Sequence, residues 1–217
     1  MKRIISLLLT AMIVLSVFSV FSVSAADSVL SISGADKYEK TYGDKAFSLN
    51  LTSNTEKTDA NLTYSSADNS VAAVDKSGKV SVKGCGQTTI TAKTSLFDPQ
   101  GFLEGNAYTT ATKAIIVKVK PRKADFSIKK SSKKVSKKTF KKFVLKKQPN
   151  CSYIAQIGYK KNGKIKVLKE KSYKKNTSSF DIGVPKGYKF YVRVKACVKI
   201  SGKTVKGAWS AYKSFNS

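Results

Sequence analysis

The chain has 217 residues, with 41 Lys plus Arg against 13 Asp plus Glu and a formal net charge of +28. It contains no His, which removes the commonest general base, the commonest metal ligand and every Ser-His or Cys-His nucleophile pair. With so few carboxylates as well, the composition predicts a protein that is not an enzyme and that uses no cofactor or metal.

Lys2 and Arg3 precede an apolar stretch from Ile4 to Val23, and Val23-Ser24-Ala25 forms a small-residue cleavage site. Residues 1–25 are therefore expected to be a signal peptide whose removal leaves about 190 residues. An uncleaved anchor is the alternative, because the apolar run is long enough to span a bilayer. No second apolar run follows. The expectation is a secreted or cell-surface protein with no membrane span after cleavage. No Cys ends the signal segment and no hydrophobic tail closes the chain, which argues against lipid and wall-sorting anchors.

Charge divides what remains. Residues 27–120 hold 11 Lys and 10 acids, whereas residues 121–217 hold 28 Lys plus Arg and 3 acids. The second half should attract polyanions and the first should not. Each half has the size of one β-sandwich.

In the first half, Leu30 and Ile32 alternate with Ser and predict a first strand. Tyr42-Gly43-Asp44-Lys45 is a turn, and Phe47, Leu49 and Leu51 alternate after it. Leu62 and Tyr64 come next, then a polar turn over Ser65–Asn69, then Val71 and Val74. Asp75-Lys76-Ser77-Gly78 is another turn, followed by Val80 and Val82, and then by Thr88, Ile90 and Ala92. Residues 114–119 read as the last strand, and 95–106 as an insertion before it. Short strands with regular turns predict an all-β sandwich.

Pro121 within Lys120-Pro121-Arg122-Lys123 ends that strand. A basic linker and first strand follow, then a strand near Phe140–Leu145, and another at Tyr153, Ala155 and Ile157. Asn162-Gly163 predicts a tight hairpin turn. Phe180, Ile182 and Val184 form a further strand. From Phe190 to Ala196 apolar and charged residues alternate, with a Ser201-Gly202 turn and a second strand-like stretch beyond.

Two stretches resemble known families. The string L-T-Y-S-S-A-D-N-S-V-A-A-V-D-K-S-G-K-V-S-V-K-G-C-G-Q-T-T-I-T-A, Leu62 to Ala92, resembles the group-2 bacterial Ig-like domain, and Tyr42-Gly43-Asp44-Lys45-Ala46-Phe47 recurs in related surface repeats. Cys85 departs from that pattern, standing between glycines where a small or charged residue is usual. The run F-Y-V-R-V-K-A-C-V-K-I-S-G-K-T-V-K-G-A-W-S, Phe190 to Ser210, resembles the closing hairpin of fibronectin type III-like modules in exported bacterial proteins. The likeness extends in strand and turn order from Lys123 to the end. It departs at Phe190, where that family places a corner Tyr; Tyr188 or Tyr191 would have to replace it. The resemblance implies two tandem Ig-like and fibronectin-like β-sandwiches, residues 27–120 and 121–217, that bind, space or display rather than catalyse.

Lys129, Lys130, Lys133, Lys134, Lys137, Lys138, Lys141 and Lys142 are the candidate polyanion-binding residues. As point charges they would neutralise a polymer's anions and release its counterions with little sequence readout. The bland alternative is a solvated Lys-rich surface. The expected partners are anionic cell-envelope polymers such as teichoic acid, acidic glycans, or another surface protein. Tyr153, Tyr159, Tyr173 and Tyr191 interleave with Lys as stacking platforms do, but no nucleic-acid-binding motif is present, and alternate aromatics are ordinary core. Trp209 is read as packing rather than as a sugar platform. Asp98 and Glu104 share the inserted segment, but no loop motif supports Ca²⁺ and no catalytic domain supports a glycosidase pair.

The fibronectin-like resemblance brings the strand after Cys151 beside the strand ending at Cys197. It thereby implies a candidate disulfide, Cys151 with Cys197, although side-chain parity sets the two on opposite faces. Free thiols are the alternative, and Cys85 is the expected odd one. Two other readings remain open for the whole chain: a ligand-free structural spacer, and a polysaccharide-targeting accessory of a separate hydrolase.

Overall fold

A computed structural model describes residues 30–54, 62–97, 102–103, 105 and 108–217. The predicted signal segment and the Asp98 and Glu104 readings lie outside these residues. Apart from a helical pair at 102–103, the regular elements among the described residues are strands: β1 (Ile32–Ser33), β2 (Lys37–Thr41), β3 (Phe47–Ser48), β4 (Thr52–Ser53), β5 (Thr63–Ser66), β6 (Ala72–Val74), β7 (Lys79–Val82), β8 (Gly86–Phe97) and β9 (Tyr108–Lys120), then β10 (Phe126–Lys130), β11 (Lys138–Leu145), β12 (Ser152–Lys161), β13 (Lys164–Tyr173), β14 (Ser179–Pro185), β15 (Lys189–Ile200), β16 (Lys203–Lys206) and β17 (Lys213–Asn216).

In the first sandwich the order β2-β9-β8-β5 faces β3-β7-β6, with β1 and β4 paired beside them. Leu49, Val80, Ile90, Ile115, Val117 and Val119 fill the space between. The alternation of Thr88, Ile90 and Ala92 against the flanking Thr residues makes β8 half-buried, as its period predicts. Residues 95–97 of the segment read as an insertion continue β8, paired residue for residue with β9 as far as Phe97 opposite Tyr108. The turn at Asp75 closes on its own side chain, whose Oδ1 accepts bonds from Ser77 N at 2.9 Å, Ser77 Oγ at 2.7 Å and Lys79 N at 3.0 Å. Gly78 completes it at φ 77°, and a Cβ there would lie 2.9 Å from the Tyr64 ring.

The second sandwich sets β10-β11-β14 against β13-β12-β15-β16, with β17 also on β15. Its core is aromatic. Phe143, fully buried, lies 5.3 Å from Phe180, 5.7 Å from Phe215 and 6.0 Å from Phe126, ring centre to ring centre. Phe190 is buried and meets Phe215 at 5.9 Å and Tyr188 at 6.4 Å, so ring contacts occupy the corner where a Tyr was expected. Asn162 and Gly163 take positive φ of 49° and 78°, and Ser201 and Gly202 take 49° and 77°; these turns close the β12–β13 and β15–β16 hairpins.

Candidate functional site

The candidate lysines lie on β10, β11 and the turn between them. Lys129 is opposite Lys142, and Lys130 is opposite Lys141. Cross-strand neighbours of like charge destabilise a ladder, their Cβ atoms being roughly 5 Å apart. Residues 129–142 contain eight Lys and no acid. One carboxylate reaches them from β14: Asp181 pairs with Lys142 in register, accepts the Ser131 hydroxyl at 2.7 Å and lies 3.6 Å from Lys133 Nζ.

Strand direction fixes where this charge sits. β10 leaves the linker at Phe126, so the β10–β11 turn lies at the end of the sandwich away from the first one. β12 starts at the junction and runs to the Asn162-Gly163 turn at that same distal end. β14 also finishes there, at Pro185 opposite Lys138. The distal end therefore gathers Lys160, Lys161, Lys164 and Lys186 with the hairpin lysines. A shallow depression of about 530 Å³ there is lined by Lys130, Lys133, Lys134, Lys138, Lys141 and Lys186, with Ser131, Val135, Ser136, Thr139 and Phe140. Seven of the eight candidate side chains are exposed, and Lys141 is half-buried. Lys141 and Lys130 share parity with core-facing Phe143, whereas Lys129 and Lys142 face out, so the charge wraps both faces of the hairpin.

Trp209 is half-buried. Arg193 lies over its ring at 4.5 Å and Lys195 at 4.2 Å, and Arg193 also stacks on Tyr212 at 4.7 Å. The indole face is thus covered by cations rather than open to a sugar. Tyr153 is buried, and its hydroxyl oxygen accepts the Gln148 backbone N–H at 2.8 Å; burial raises its pKa to about 12. Tyr173 stacks on Phe180 at 3.9 Å and is raised likewise to about 12. These two are core residues. Among the described residues no three metal-ligating side chains cluster, and no helix is long and apolar enough to cross a membrane.

The junction between the sandwiches was not read from the sequence. Gln148, 1 % exposed, accepts Arg122 N–H at its Oε1 (3.0 Å) and donates from Nε2 to Arg122 O (3.1 Å). Asn150 Nδ2 donates to Ser70 Oγ at 3.1 Å, and Ser201 Oγ meets Gln87 Oε1 at 3.0 Å. The Ser70 hydrogen bonds hold the Asp68 carboxyl below its usual range beside this contact. Cys85, from the first sandwich, is fully buried in the core cluster of the second. Its N–H donates to Pro149 O at 3.0 Å. Cys85, Cys151 and Cys197 are all buried thiols. In the β12–β15 ladder Ser152, not Cys151, stands opposite Cys197.

Residues 53–95 match the family described as the intimin immunoglobulin-like domain. That span contains the whole Leu62–Ala92 string, so the first sandwich carries a bacterial Ig-like segment. No curated protein sequence matches the chain. Among solved structures, a cytokine receptor complex aligns over 85% of this chain and 95% of its own, at 10% identity and a TM-score of 0.36. An S-layer protein aligns over 83% of this chain but 27% of its own, at 17% identity and 0.26. The D0-D1 domain of intimin aligns over 88% and 98%, at 16% identity and 0.23.

Proposed function

We propose that the chain is an exported, non-enzymatic surface protein of the adhesion type. In this reading the basic end of the second sandwich holds it to anionic envelope polymers, and the near-neutral first sandwich is displayed. The observation that carries the reading is the pairing of Lys129 with Lys142 and Lys130 with Lys141 across one ladder. Such pairs repel in the free protein, and a bound polyanion removes the repulsion while releasing its own counterions. The Ig-like match over residues 53–95 supports the surface role. The test is sedimentation with purified Gram-positive-type cell walls, with and without teichoic acid, across a salt series. Binding that falls steeply with salt and disappears with the acid is the expected result. Binding that ignores salt, or none, overturns the polyanion reading.

A spacer is the second reading, and the junction favours it. Buried Gln148 and the Asn150–Ser70 and Ser201–Gln87 bonds tie the two sandwiches together without a free linker. Absence of wall binding at every salt concentration in the sedimentation assay would support that role instead.

A further inference from the structure

We propose that Cys85 and Cys151 are joined by a disulfide that locks the two sandwiches together, leaving Cys197 as the remaining thiol. The inference rests on the export reading, because such a bond persists only in an oxidising compartment.

The geometry selects this pair. Cys85 lies in the Gly84-Cys85-Gly86 loop, and both glycines are there for contact. A Cβ on Gly84 would fall 2.6 Å from Ser70 O and 3.1 Å from Pro149 Cβ, so only glycine lets the second sandwich's loop press this close. A Cβ on Gly86 would fall 2.9 Å from Val71 Cγ2. The loop delivers Cys85 into the other sandwich's core, where its N–H is fixed to Pro149 O at 3.0 Å, two residues before Cys151. Both cysteines converge on Gln148: the Cys85 thiol donates to its Oε1 at 4.0 Å, and the Cys151 N–H donates to its backbone oxygen at 3.2 Å. Cys151 belongs to the same core cluster. Cys197 does not: it follows core-facing Ala196 on β15, and its register partners are Ser152 and Lys206. Cys151 stands just before β12 and joins the core cluster, whereas Cys197 on the neighbouring β15 lies outside it, which disfavours a bond between those two. The residue that departs from the Ig-like pattern is the one that crosses the junction.

The reaction is thiol–disulfide exchange. A Cys85 or Cys151 thiolate attacks an external disulfide, of a small molecule or an oxidase, and releases one thiol. The second Cys then displaces the other thiol from the mixed disulfide. The two protein thiols lose two electrons and two protons, and the external disulfide becomes two thiols. The interaction with Cys85 first, and burial next, push the Cys151 thiol up. Both thiols are buried once the sandwiches are docked, so exchange takes place before docking is complete, and docking then shields the bond.

The test is a peptide map of the whole chain. Protein refolded in a glutathione redox buffer, and protein recovered from the medium of a secreting host, are alkylated without reduction and digested with trypsin. Each Cys falls in its own peptide, 84–93, 148–160 and 196–199. Joined 84–93 and 148–160 with alkylated 196–199, in both samples, is the expected result. Joining of 148–160 to 196–199, or alkylation of all three in the glutathione sample, overturns the pairing. A link formed in glutathione but missing from the secreted protein leaves the geometry standing and overturns the oxidised state of the exported chain. Reductant should lower the melting temperature of the linked form by about 10 °C, because the bond closes a long loop; an unchanged value counts against the lock.

Discussion

Replacing Gln148 by Ala should loosen the junction more than any exposed substitution on either sandwich. Its amide imitates a peptide group: Oε1 accepts Arg122 N–H at 3.0 Å and Nε2 donates to Arg122 O at 3.1 Å. Alanine leaves both Arg122 groups without those partners, next to Pro121, which is buried. Each lost bond is worth about 1 kcal/mol net and more where no water replaces it. The one buried methylene that is lost, Cγ, adds about 0.8 kcal/mol. The sum is about 3 kcal/mol, which for a chain of this size lowers the melting temperature by about 10 °C. Differential scanning calorimetry under reducing conditions reads it without interference from a disulfide; the variant also loses the Cys85 thiol's contact with Gln148 Oε1 at 4.0 Å. A second readout separates docking from general damage. If Gln148 pins the linker, the variant should melt in two steps where the parent melts in one, because each aromatic or aliphatic core is intact. A shift below about 3 °C with an unchanged single transition would show that the linker is held by packing alone.

Two further predictions test the first sandwich and the junction wall. Glu39 is bonded to Lys120 at 2.5 Å and to Lys37 at 2.7 Å, and these bonds, Lys120 first, depress its pKa from 4.5 to about 2. The folded state thus holds the carboxylate ionised where the unfolded state is protonated, so the contribution is full above pH 4.5 and is lost as pH falls toward 2. The melting-temperature gap between the parent and Glu39→Gln should be largest near neutrality and close in acid; a gap independent of pH refutes the ion-pair account. Gly84→Ala places a Cβ 2.6 Å from Ser70 O, a backbone atom that cannot swing aside. It should destabilise by about 1–3 kcal/mol and raise hydrogen exchange on both sides of the junction; exchange confined to the first sandwich would refute the contact.

What the sequence made legible was what one face of one strand encodes. Phe190 to Ala196 alternates because β15 packs on the core with every second residue, and the Asn162-Gly163 turn is legible because only such residues accept two positive φ values. β13 escaped notice. Its sequence Lys164–Tyr173 is exposed along nearly its whole length at the edge of the sheet, and the register shift at Ile157/Gly158 breaks its alternation, so no burial period is written into it. Such charge blunts an edge strand against further pairing. β2 escaped for a related reason: it is a short, half-exposed strand added in parallel to β9. β17 was also unassigned, although Phe215 belongs to the core. The hairpin lysines were plain in the sequence, but their ladder opposition needed the register. Cys85 was visible as an anomaly, whereas its environment depends on docking two sandwiches, which no local pattern encodes.

The distribution of the basic charge can decide between a site and a merely cationic surface. Charges act together only within about one Debye length, roughly 8 Å at physiological salt. The ladder places Lys130 beside Lys141 well inside that distance, and the depression adds Lys134 and Lys138. Lys146, Lys174, Lys199 and Lys203 lie toward the junction end, on separate loops and strands. Removing four of the first group, as Lys130→Gln, Lys134→Gln, Lys138→Gln and Lys141→Gln, changes net charge by the same amount as neutralising the four junction-end residues. If the distal end is the site, the first set should flatten the log–log salt dependence of wall binding by about 3, counting roughly 0.7 per lost contact, and the second set by less than about 1. Equal losses would mean that net charge alone draws the protein to the wall and that the hairpin ladder has no part in it.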